Sequence, residues 1–209
     1  MEKQLKIDFE KIIKNSKFSK KDIEHKENNL NKFIESGFPN RKLENWKFSD
    51  ISQIIKKNIG DLSFYNDYSS SNKVDSSVFV DGLDHNKIVF INGRIEKIDF
   101  KYEEKDNIEI LDDFELKDNL SNVNSLTNLN NAFKNKHCKI IINENYSLKK
   151  PLIIYHTTNN QIKSKNINLR LDFLLKKNSS LNLVDIFNDT SKKNFINIFC
   201  NFELHQDSI

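Results

Sequence analysis

A chain of 209 residues is long enough for one large domain or two small ones and for a sizeable buried core. Four glycines and two prolines exclude collagen-like and Pro/Gly-linker classes, while sixteen phenylalanines argue against global disorder. Lys+Arg 33 against Asp+Glu 30 leaves a net charge of +3, with only three arginines and the lysines interleaved with Asp, Glu and Asn, a pattern of a solvated surface that argues against a nucleic-acid binder.

The first sixty residues read as helical. Leu5, Phe9, Ile12 and Ile13 share one helix face. Ser19 followed by Asp22 predicts the start of a second helix, with Ile23, Leu30, Phe33 and Ile34 as its apolar positions and Gly37 and Pro39 as its stop. Ser49 is expected to cap a third helix, with Ile51, Ile54, Ile55 and Ile59 burying one side and Gly60 closing it. Residues 61–86, polar and Ser/Asn/Asp-rich, read as a linker.

Beyond residue 86 the apolar period changes from helical to two. The runs 87–91 and 94–98 flank Asn92-Gly93, the preferred type I′ hairpin turn. Leu126, Leu129, Ala132 and Phe133 mark a short helix. From Cys138 onward short apolar runs recur, at 140–142, 152–155, 167–175, 181–187 and 195–204, with no room between them for crossover helices. This argues against a doubly wound sheet and for a hairpin-built sandwich or a solenoid. Starts at 167, 181 and 195 and Asn-rich turns favour the solenoid. The expected fold class is thus a helical N-terminal domain (1–60), a linker (61–86), a hairpin with a short helix (87–137), and the rungs of a right-handed parallel β-helix (138–209), cut off before a cap.

Catalytic signatures are absent from the sequence: there is no phosphate-binding glycine loop, no GxSxG elbow, and no HxxH or HExxH among the five histidines, each read as a surface or turn residue. Cys138 and Cys200 stand apart among apolar residues, as small buried hydrophobes do, which predicts a reduced, cytoplasmic setting. No apolar run reaches membrane-span length, and the opening residues lack a signal-peptide core. One segment stands out. Gly37 to Ser49 joins two helices and holds the only Trp, aromatic neighbours and the first Arg. Phe38, Pro39, Arg41, Glu44, Trp46, Lys47 and Phe48 form either a docking surface or a compact turn in which Phe38, Leu43, Trp46 and Phe48 pack and Arg41 pairs with Glu44.

This segment, Phe38 to Ser49, resembles the pattern F-P-x-[RK]-[KR]-x-E-x-W-K-[YF]-[ST] of the SufB/SufD family, on its SufD side: scaffolds of the SUF iron–sulfur cluster assembly system. Three weaker features follow in the family's order: Val89-Phe90-Ile91-Asn92-Gly93, similar to its V-F-V-N-G; Leu129-Asn130-Asn131-Ala132-Phe133, similar to its L-N-x-A-F; and the runs at 151–154 and 181–187. The resemblance implies a non-enzymatic scaffold with a β-helix, working with a paralogous SufB-like subunit and a SufC-like ABC ATPase, without nucleic acid or membrane. It also implies that the chain covers roughly the first half of the family's length. The ATPase-docking segment and the residues that handle iron or cluster then lie beyond Ile209, and this stretch binds no cofactor itself. Alternatives are a carbohydrate-active β-helix enzyme and a Lys-rich nucleic-acid binder.

Overall fold

The structure, a computed structural model, describes residues 1–65, 79–112, 124–134, 137–158, 162–189 and 193–209. Part of the linker expected over 61–86 and the turn residues Thr190 and Ser191 lie outside the described residues.

Three helices open the chain: α1 (Glu2–Asn15), α2 (Lys20–Ser36) and α3 (Ile51–Asn58). At the start of α2 the Ser19 Oγ accepts from the Asp22 backbone N–H, and the Asp22 carboxylate accepts from the Ser19 backbone N–H, so two otherwise orphaned donors are satisfied reciprocally. Gly37, at φ +67°, ends the helix with its N–H on the Phe33 carbonyl. α3 begins one residue later than expected: Asp50, not Ser49, is its cap, accepting from the Gln53 N–H at 3.0 Å. Of its isoleucines only Ile55 is buried.

The helices pack on α4 (Ser125–Phe133). Leu5, Phe9, Ile12, Leu30, Phe33, Phe38, Ile55 and Phe64 form one buried cluster with Leu129, Ala132 and Phe133. Two polar ties lock this arrangement. Buried Lys26 donates to the carbonyls of Ala132 (3.4 Å) and Lys134 (2.5 Å), placing a cation at the C-terminal end of α4. Buried Asp8 accepts from the Phe64 N–H at 2.8 Å.

The described residues also form eight strands, three before α4 and five after it: β1 (Asn86–Ile91), β2 (Arg94–Asp99), β3 (Ile108–Asp112), β4 (His137–Ile142), β5 (Leu152–Thr158), β6 (Asn166–Leu175), β7 (Leu183–Asp189) and β8 (Phe195–Leu204). They form two four-stranded sheets, ordered β2-β1-β5-β7 and β3-β4-β6-β8. The expected right-handed parallel β-helix is corrected by this arrangement. Both sheets are mixed, with β2 antiparallel to β1 and β3 antiparallel to β4, and neither closes or winds into a solenoid. The architecture is α+β. The reason is local: the Asn92-Gly93 turn, with φ of 52° and 80°, folds β2 straight back on β1. Regular spacing set the lengths of strands and turns but not the hydrogen-bonding neighbour of each strand; β6, β7 and β8 fall alternately in the two sheets.

The two sheets share one core. Ile88, Phe90, Leu152 and Ile154 of the first meet Cys138, Ile140, Ile142, Leu169, Leu171, Phe173 and Leu175 of the second. On the far side of the second sheet, Asn130 of α4 donates its amide to the carbonyls of Leu169 (2.9 Å) and Asn197 (2.8 Å). Asn turns behave as their chemistry predicts: Asn145 and Asn178 adopt φ of 59° and 55°, the left-handed region that Asn tolerates.

Candidate docking site

The segment singled out in the sequence is a closed loop. The Ile51 N–H donates to the Pro39 carbonyl at 3.1 Å, bringing the ends of a stretch of Ω-loop length together. Inside, the Asn40 side chain accepts from the Lys42 N–H (3.0 Å), and backbone bonds run from Leu43 to Asn40, Trp46 to Leu43, Lys47 to Glu44 and Ser49 to Trp46. Glu44–Trp46 is a single 3₁₀ turn. Satisfied internal hydrogen bonds give the loop one conformation without a regular element.

The structure sorts the seven expected residues into an anchor and an exposed rim. Phe38 is 3% exposed, its ring meeting Phe33 edge-on at 5.1 Å and Phe195 of β8 at 5.6 Å. Pro39 is buried beside it. Trp46 is half-buried, while Arg41, Glu44 and Lys47 are exposed. Phe48 is 86% exposed, with the Lys47 ammonium 5.5 Å from its ring centre. In the compact-turn reading Leu43 and Phe48 pack inward; instead Leu43 is 50% exposed and Phe48 points to water. No ion pair joins Arg41 to Glu44 among the described residues. Sequence reasoning missed Ile54, placed on a buried face but 47% exposed on the helix leaving the loop. The signal was available: only three apolar residues in an eight-residue helix that also holds Lys56 and Lys57 leave little to pack against.

Elsewhere several ionisable groups are buried in or beside the sheets. His85, His137 and His156 are buried, contrary to the surface placement read from the sequence, because all three lie in or beside strands. His156 is stacked between Phe90 and Phe187, with Nε2 3.1 Å from an Asp185 oxygen. Arg170, only 2% exposed, forms a bidentate pair with Asp172 at 2.8 and 3.0 Å under α4. Cys138 is buried, and burial, reinforced by Asp185 and Asp172, pushes the Cys200 thiol up to about 11, so it stays protonated at neutral pH. No three His, Cys, Asp or Glu side chains come together as a metal-holding group among the described residues.

A scan against protein-family models and a search of curated proteins found no match to the chain. Fold and site together define an α+β protein of two mixed sheets that presents an internally hydrogen-bonded loop with exposed basic and aromatic side chains. No helix among the described residues is long and apolar enough to cross a membrane.

Proposed function

We propose that the chain is a scaffold component of a SUF-type iron–sulfur cluster assembly complex, acting by binding rather than by chemistry of its own. In this reading it works in the cytoplasm with a paralogous SufB-like subunit and a SufC-like ABC ATPase, and the cluster is cargo of the complete complex. The observation that carries it is the segment Phe38 to Ser49, which resembles the SufD motif across twelve consecutive residues. That this segment is an ordered loop, anchored by Phe38 and Pro39 and exposing Phe48, supports a binding role for it. The two-sheet fold does not carry the reading, since the family resemblance implied a solenoid; the motif does. The carbohydrate-active alternative presupposes a solenoid groove, which two mixed sheets do not supply.

The test is affinity purification of the tagged product of the native gene from its own cells. Recovery of an ABC-type ATPase and a paralogous subunit in fixed ratio, with loss of cluster delivery when the gene is depleted, is the expected result. Recovery of neither partner removes the proposal.

A further inference from the structure

The loop's surface chemistry says what kind of partner it takes, independently of the iron–sulfur reading. Between Gly37 and Gly60 lie five basic residues, Arg41, Lys42, Lys47, Lys56 and Lys57, against Glu44 and Asp50. The excess over this stretch is +3. One of the two acids is already used, since Asp50 caps α3. All five basic side chains are exposed, and among them stand Leu43, Phe48 and Ile54, three large apolar side chains about half or more open to water. An aromatic ring held out at 86% exposure on a hydrogen-bonded loop has little conformational freedom left to lose on binding.

We infer that the Pro39–Ile51 loop and the adjoining face of α3 form a docking site for an acidic polypeptide segment that carries an apolar anchor. Phe48 and Leu43 supply the apolar contact, and Arg41, Lys42 and Lys47 form the cationic rim that steers and orients the segment. Arg41 adds a planar fork suited to a carboxylate. A polypeptide fits better than a phosphate surface. Exposed Glu44 lies in the middle of the loop, where a bilayer or nucleic acid would set like charge against it, whereas a peptide can place a basic or neutral residue there.

The experiment places the photo-reactive p-benzoylphenylalanine at position 48 in the native host, with the same probe at Lys20 of α2, whose side chain is 93% exposed, as reference. Adducts are mapped by mass spectrometry. Expected is one dominant protein adduct from position 48 and not from position 20, at a segment of net negative charge with an apolar residue. Its yield falls about fivefold or more in a Lys42→Glu/Lys47→Glu variant, and falls as salt rises. The exposed variants are checked for an unchanged denaturation midpoint. Equal labelling from both positions overturns the inference, as does an adduct with lipid, nucleic acid or a second copy of this chain, or one insensitive to charge reversal. Adduct chemistry is read without reference to iron–sulfur proteins, so this inference and the proposed function can fail separately.

Discussion

Glu103 gathers four donors on one carboxylate. One oxygen accepts from the Asn86 amide (2.7 Å) and the Lys150 N–H (3.1 Å); the other accepts from the Tyr146 hydroxyl (2.7 Å) and the Lys149 N–H (3.1 Å). Burial pushes this carboxyl up, but the hydrogen bonds from Asn86, Lys149, Tyr146 and Lys150 together outweigh it and hold it below the ordinary range. A depressed folded-state value favours the folded carboxylate. Its stabilisation is therefore fully present above the ordinary value near 4.5 and is lost as pH falls through the folded value. Glu103→Gln is expected to cost about 1–3 kcal/mol at neutral pH and to flatten the loss of melting temperature between about pH 6 and about pH 3, by scanning calorimetry. Cys200 gives a second residue-scale prediction. With its thiol pushed up to about 11, iodoacetamide labelling of the folded protein at about pH 8 should run roughly a hundredfold slower than that of a free thiol, by intact mass. Neither property was legible in sequence. The partners of Glu103 lie 17 to 47 residues away, and the carboxylates that act on Cys200 come from β6 and β7.

At the scale of elements, local chemistry was readable wherever it closes within a few residues. The Ser19–Asp22 capping box spans three residues and formed as read. The start of α3 slipped by one because Ser49 and Asp50 are both competent caps, and only the geometry decides which oxygen meets the Gln53 N–H. The β1–β2 hairpin followed from Asn92-Gly93, but the second duty of Gly93 did not. At φ +80°, a Cβ added there would sit 2.7 Å from the Ile167 Cγ2 of the other sheet. Gly93→Ala therefore meets both a left-handed backbone penalty and an overpacked contact. It is expected to destabilise by about 2–4 kcal/mol in urea denaturation, more than either effect alone.

Across the whole molecule, Phe38 joins parts that the sequence treats as separate. Its ring meets Phe33 of α2 and Phe195 of β8, so the loop anchor also ties helices to sheet. Phe38→Ala should cost about 3–5 kcal/mol of global stability, whereas Phe48→Ala, ten residues on and exposed, should cost under about 0.5 kcal/mol, by chemical denaturation of both variants. A similar loss in both would mean that Phe48 is packed and that the loop is not a presented surface. Each sheet ends on a strand, β7 or β8, with exposed apolar side chains, among them Phe187 and Phe202. Phe202 stacks on Phe173 at 4.7 Å, and Phe187 stacks at the same distance on His156, which in turn stacks on Phe90, so each exposed ring ends a row of stacked rings on its sheet.

The sequence by itself determined the helices, the hairpin and the alternating strands from Cys138 onward. Each of these is a property of residues close together in the chain: period, cap and turn. Tertiary structure alone decided that the strands divide between two mixed sheets instead of winding as a solenoid, because run lengths and turn residues do not specify hydrogen-bonding neighbours. It also decided which aromatic residues of the Phe38–Phe48 segment serve the core and which face water. That division depends on whether α2 and β8 come within reach: they do for Phe38, while Phe48 stays open to solvent.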